Sequence, residues 1–512
     1  MTKSLCLCAV LLALACTDLT ETPSSFTTPE NFYRNEAEVL GGLASVYAPL
    51  RGTLDDYWYA SEVSSDEIVV PTRGQDWYDN GQWLELKRQT WTASSPAGNA
   101  FMNGAYVTPF SGIARANVLL DALTRVSVPN QAAIVAEART LRAFYYYLLM
   151  DMFGGVPVVT DLAIKARPRE TRDSVFKFIE AELLDARTNL PDSWPAASQG
   201  RLTKGAADAI LASMYLNAGV WMKNTGVSAT SYNTCLGVSV SGGVDACQAA
   251  INAADRIINS GLYSLSANWK SNFTASNGSS PENIMVVKFL NKPDLGLNFI
   301  MRALHYNQLT GATPWNGFAT TAQTFNAFDT ADVRRSMWLE GPQGNVETGV
   351  PVNDRSGNPL VFTDSILDVT SATEGEGPRM YKFPADPNRP DGPTNGNDFT
   401  YFRYAEMLLI KAEALNEQNP GSAAALALVN QVRARAFPTT PKPLVAVDRA
   451  AILKERLLEL ATEAKRRQDL IRHGVYTAAW DYKPAGTAHL ILMPIPQGQM
   501  DANPLLVQNP GY

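Results

Sequence analysis

Aromatic rings and planar polar side chains crowd one short stretch of this chain. Trp77, Tyr78 and Trp83 are interleaved with Arg73, Gln75, Asp76, Asp79 and Asn80, and Trp315 beside Asn316 repeats the pairing far along the sequence. A sugar presents flat patches of C–H and many hydroxyls. A surface that holds one needs exposed rings to stack on and planar polar groups that hydrogen-bond in fixed directions. Trp77, Trp83 and Trp315 are the candidate platforms, with Arg73, Asp76, Tyr78 and Asn316 as the other candidate ligand-binding residues. The competing reading is that the tryptophans pin long loops from inside, because large aromatics bury well.

Other chemistries find less support. Glycoside hydrolysis needs two carboxylates flanking one bond. Asp66 with Glu67, or Asp76 with Asp79, could be drawn that way, but acids in a Gly- and Asn-rich loop serve as turn formers, so no catalytic residue is expected. His305, His473 and His489 are scattered and fit no zinc-protease spacing, and no phosphate-cradling Gly-rich loop is present. Asp364, Asp368, Glu374 and Glu376 do not match the regular calcium loop. The expectation is no metal and no cofactor. A net charge of −7 without any basic cluster argues against nucleic acid.

The start of the chain says where it works. A basic beginning, a short apolar core and small residues ahead of Cys16 make a secretory signal over residues 1–15. That core is shorter than the ~20 apolar residues a membrane-spanning helix needs. The stretch before Cys16 resembles a bacterial lipoprotein box, which would make Cys16 the acylated N-terminus, residues 16–28 a tether, and 29–512 a single domain. At 46% hydrophobic and 18% charged, that remainder has the composition of a folded globular protein. Of five cysteines, Cys6 and Cys8 leave with the signal, and Cys235 and Cys247 remain to pair. Export exposes them to oxidising conditions, and closing so short a loop constrains the unfolded chain by ~3 kcal/mol.

The elements that must carry the aromatic loops read as helices. Thr28 before Pro29 caps a first helix ending near Arg51. Further helices are expected over 113–123, 131–152, 174–190, 203–218, 247–260, 403–417, 422–437 and 449–473, with 131–152 central because it is apolar on most sides. Alanines at helix contacts, such as Ala206, Ala209 and Ala412, suit the close packing of tetratricopeptide-like hairpins. In the last helix, Arg456, Glu459, Glu463, Arg466 and Arg467 read as a solvated face of spaced pairs. Two long irregular regions, 52–110 and 264–400, separate the helical parts, and loops that long are usually functional.

In this order, several landmarks resemble the SusD/RagB family of outer-membrane nutrient-uptake lipoproteins. They are Glu21-Thr22-Pro23 and Asn31-Phe32-Tyr33 after the tether; the helix at 136–143 with Phe153, Gly154, Gly155, Val156 and Pro157; and the stretches at 201–206 and 402–414. Glu455 to Leu460 with Lys465, Arg466 and Arg467, and the closing Pro494-Ile495-Pro496 and Asn509-Pro510-Gly511-Tyr512, complete the set. The resemblance implies a mainly α fold of tetratricopeptide-like hairpins with long irregular loops. It also implies a lipid-anchored, cell-surface protein of the outer membrane. Such a protein captures a glycan and passes it, as a lid, to a SusC-like TonB-dependent outer-membrane barrel. A peptide cargo for a lid of the same type is the alternative.

Overall fold

The computed structural model describes residues 32–512. The expected signal peptide, the acylated Cys16, the tether and the Thr28–Pro29 helix start lie outside the described residues. Helix α1 (Glu36–Tyr47) begins at Asn35, whose side-chain oxygen accepts the Glu38 amide at 3.1 Å and so satisfies one of the unpaired N–H groups of a helix start.

Within the region expected to be irregular, α2 (Tyr57–Glu62) and α3 (Gln82–Arg88) precede α4 (Asn103–Ala122). Then follow α5 (Gln131–Phe153), α6 (Arg172–Ala186), α7 (Lys204–Leu216), α8 (Ala246–Ile258), α9 (Phe299–Ala303), α10 (Tyr404–Gln418), α11 (Ala423–Ala436), α12 (Arg449–Leu460) and α13 (Arg466–Arg472). Helices α4, α5 and α6 pack in succession, α7 packs on α8, and α8 on α10, which carries α11. Small residues set the spacing. A Cβ at Gly112 of α4 would overlap the Tyr145 ring of α5, and Ala206, Ala209, Ala250, Ala253 and Ala254 are all buried where α7 meets α8. Helix α5 is central: its residues from Thr140 to Phe153 are buried, and the Tyr145 hydroxyl donates to the Val46 carbonyl at 2.6 Å.

The charges of the last helical segment correct the sequence reading. Arg456, Glu459, Glu463, Arg466 and Arg467 are not a solvated face; all are buried. Each is matched by a partner the sequence places far away. Arg403 binds Glu459 at 2.6 Å, Glu463 at 2.7 Å and Glu282 at 3.2 Å. Arg466 grips Asp66 at 2.7 Å and Arg456 grips Asp469 at 2.8 Å. Burial pushes the Glu463 carboxyl upward, and Arg403 with Lys382 outweighs that and holds it below its ordinary range. The helix expected over 449–473 also breaks after Leu460, where Thr462 and Ala464 take φ of 67° and 58°. The break lets Glu463 turn inward to Arg403 and Lys382.

A small antiparallel sheet gathers the loops that matter. Its strands are β1 (Ile68–Val69), β3 (Ala319–Thr320), β4 (Trp338–Leu339) and β7 (Arg379–Met380), in the order β1-β3-β7-β4. Ile68 faces Thr320, Ala319 faces Arg379, and Trp338 faces Met380. Elsewhere β2 (Asn283–Val287) pairs with β8 (Phe399–Arg403), and β5 (Gly341–Pro342) with β6 (Val361–Phe362). Cys235 and Cys247 form a disulfide, with Cα atoms 5.0 Å apart.

Candidate functional site

The loop leaving β1, the loop entering β3 and the loop entering β7 meet at one edge of the sheet. Thr72 and the 369–372 segment exchange two backbone bonds of 2.9 Å, Thr72 N–H to Val369 and Ala372 N–H to Thr72. Arg73 and Asp76 then close a hairpin turn through reciprocal backbone bonds of 2.9 and 3.1 Å, with Gly74 at φ +66° supplying the left-handed corner. Beyond it, Trp77, Asp79 and Asn80 also have positive φ, as does Asn316 on the facing loop. For a residue as bulky as tryptophan this conformation costs about 1–3 kcal/mol and persists only where the surroundings over-determine it.

What over-determines it is an aromatic stack with a buried base and an open top. Trp83 is buried, its Nε1 donating to Asp79 at 2.8 Å. Its ring lies 5.1 Å from Tyr59, 4.6 Å from Phe101 and 5.6 Å from Phe318. Trp77 rests on this base, 5.4 Å from Trp83 and 5.6 Å from Phe318, and its Nε1 donates to the Trp315 carbonyl. Gly317 makes room for it, because a Cβ there would overlap the Trp77 ring. The tops are open: Trp315 is 42% exposed, Tyr78 58%, and Trp77 is half-buried.

A polar rim borders the rings. The Tyr306 hydroxyl donates to Asp76, and the Arg355 guanidinium lies 4.0 Å over the Tyr306 ring while pairing with Glu374 and standing 3.5 Å from Asp76. Arg355 is half-exposed, on a turn that Asp354 fixes by accepting the Ser356 and Asn358 amides at 2.9 Å each. Burial pushes the Glu374 carboxyl up, but the Arg355 amide, His305 and the Arg355 side chain bring it down to about 2. Burial also lowers His305, keeping it neutral at pH 7. Its Nδ1 accepts the Asn307 amide at 3.3 Å, so its Nε2 carries the proton and donates to Glu374 at 2.9 Å.

The structure therefore sorts the residues singled out in the sequence. Trp77, Tyr78 and Trp315 form one exposed surface with Asp76 at its rim. Trp83, Arg73 and Asn316 lie beneath it, where they position rather than touch. Arg73 donates to the carbonyls of Thr373 and Glu376, and burial lowers it to about 10. Asn316 binds Arg379 through Oδ1 at 2.9 Å, and Arg379 donates to the Glu374 and Glu376 carbonyls at 2.6 Å each. These two buried guanidiniums hold the 373–377 loop against the aromatic stack. The acidic group weighed for calcium is otherwise engaged: Glu374 as above, Glu376 with the Leu367 and Thr373 amides, and Asp368 with Thr370 and Ser371. Sequence reasoning missed Arg355, which carries no signal beyond a lone arginine in a Gly- and Asn-rich turn.

Comparison with known proteins bears on what such a surface is for. The model of the SusD family matches residues 223–490, and a model described as starch-binding associating with outer membrane matches residues 42–216. The chain is 24% identical to SusD-like protein P25 of Formosa agariphila, covering 96% of each. It is 24% identical to the starch-binding protein SusD of Bacteroides thetaiotaomicron, covering 89% of this chain and 86% of that one. Among solved structures, a laminarin-binding SusD-like protein superposes with a TM-score of 0.74 at 25% identity, over 94% of this chain and all of the other.

Proposed function

The chain belongs to the SusD family, and from that premise we propose that it is a glycan-binding protein of the outer membrane that captures oligosaccharide or polysaccharide without cleaving it. The observation that carries this reading is the open surface of Trp77, Tyr78 and Trp315 bordered by Asp76, Tyr306 and Arg355. The rings give flat apolar faces for sugar C–H patches, and the rim gives directed donors and acceptors for hydroxyls. A relative named for starch and a structural neighbour named for laminarin support the ligand class. The wider reading follows from the family and the N-terminal sequence. Cys16 carries the lipid anchor, the domain is exposed on the cell surface, and the cargo passes to a SusC-like TonB-dependent barrel that the domain covers as a lid. Among the described residues no helix is long and apolar enough to cross a membrane, which fits a domain held by an anchor.

Affinity gel electrophoresis against laminarin, starch and a panel of other polysaccharides tests the binding reading. The wild type is retarded by at least one of them, and Trp77→Ala or Trp315→Ala abolishes the retardation. Unchanged migration of both variants on a polysaccharide that retards the wild type refutes the site. Release of reducing sugar by the pure protein refutes the non-catalytic reading. Copurification of a barrel from detergent-solubilised outer membranes tests the lid role.

A further inference from the structure

A second recess shares no lining residue with the aromatic surface. Two hollows of about 810 and 260 Å³ adjoin through Gln199 and Gly278, forming one trough of the size that ligand pockets commonly have. We propose that this trough is a second glycan-contact site, taking an uncharged, hydroxyl-rich stretch of the polymer whose other part lies on the rings; the inference rests on the glycan reading above.

The walls are joined before any ligand arrives. Buried Asn277 donates to the carbonyls of Asp398 at 2.8 Å and Asn272 at 2.9 Å, and accepts the Asp398 amide at 2.9 Å. Asn397 ties Phe273 to Pro384 through bonds of 2.8 and 2.9 Å. Asp386 accepts the amides of Asn388 at 2.8 Å and Gly396 at 3.0 Å. A preformed recess loses little ordering entropy on binding.

Its chemistry suits neutral hydroxyls. The one ion pair on the floor, Lys288 with Asp398, neutralises itself, so the trough presents no net charge to attract an ionic ligand. The lysine side chain is 38% exposed and keeps N–H groups beyond the one given to Asp398. Gln199, Ser276, Asn291 and Asn388 are exposed amides and a hydroxyl along the rim. Flat apolar surface comes from Pro384 and Pro387 at one end and from Trp194, braced by Arg201 at 3.8 Å, at the other. Gly278 keeps the middle clear: a Cβ there would stand 3.1 Å from Lys288 Nζ and 3.2 Å from Asp398 Oδ2. Two contacts on one polymer raise avidity without a stronger contact at either.

Gly278→Trp and Asn388→Trp fill the trough from opposite walls. The measurement compares gel retardation on laminarin or starch, whichever retards the wild type, with calorimetry on laminaritriose or maltotriose, which reach only the rings. Each variant is expected to bind the trisaccharide like the wild type while its retardation constant for the polysaccharide weakens at least about tenfold. Trisaccharide binding also reports that the variant is folded. Wild-type retardation of both variants on the polysaccharide overturns the second site and leaves the first standing. A wild type retarded by neither polysaccharide overturns the glycan reading itself, and this site with it.

Discussion

Replacing Gly317 by alanine perturbs the site through one methyl group. The added Cβ would occupy space now held by the Trp77 ring. The backbone there has little freedom to retreat: the Asn316, Gly317 and Phe318 amides donate to the Leu304 and Arg302 carbonyls at 2.7–2.9 Å. The ring cannot sink either, because Trp83 and Phe318 back it at 5.4 and 5.6 Å. Trp77 must swing outward and surrender its bond to the Trp315 carbonyl. Overpacking of this kind costs about 1–3 kcal/mol of stability. Losing one buried-edge aromatic anchor from a binding surface costs about 2 kcal/mol or more, which is roughly thirtyfold in Kd. Calorimetric titration with the glycan and thermal melting read the two effects separately. In a Trp77→Ala background the same Gly317→Ala change is expected to add almost nothing, since the colliding ring is gone. Wild-type affinity and melting temperature for Gly317→Ala alone would refute the argument that Gly317 exists to seat Trp77.

The remaining expectations concern the layers beneath. Trp315→Ala lowers glycan affinity with little change in stability because its ring is exposed, whereas Trp83→Ala, which removes the buried base of the stack, costs about 3–5 kcal/mol by denaturant titration; equal stability losses would contradict the sorting. Arg403→Met leaves Glu459 and Glu463 with one cation fewer in the interior and is expected to destabilise by about 3–5 kcal/mol, a prediction that fails if the urea midpoint is unchanged. Burial raises the Glu67 carboxyl to about 7 beside Glu62, which is raised further by the same cause. A raised acid stabilises the fold fully below its unfolded value near 4.5 and loses that contribution as pH climbs through about 7. Glu67→Gln should therefore flatten the fall in stability between pH 5 and 7, and an unaltered pH profile of the melting temperature would count against it.

How much of this was legible in the chain varies by element. The Gly154-Gly155-Val156-Pro157 stop placed the end of α5 within a residue, and the alanine-rich faces of α7 and α8 were readable because only small residues permit that packing. Helix α4 begins ten residues before the expected 113, because Gly104 and Pro109 look like breakers. In the fold Gly104 instead gives clearance, since a Cβ there would meet the Asp56 carboxylate. The charges at 456–467 misled for a different reason. Spaced acids and bases on a helix look alike whether water or distant arginines satisfy them, and Arg403 and Asp66 are far off in sequence. The tryptophans were found by type alone. Which of them face outward depended on strand register, and only the pairing of β1 with β3 brings Trp77 to Trp315.

Hydrogen–deuterium exchange of the full domain, with and without a retarding glycan, tests the central claim most directly. The account predicts slowed exchange at the amides of 74–81, 306–317 and 353–358, where the rings and the Arg355 turn meet the ligand. Protection confined to the helical stack, with these three loops unchanged at saturating glycan, would contradict it.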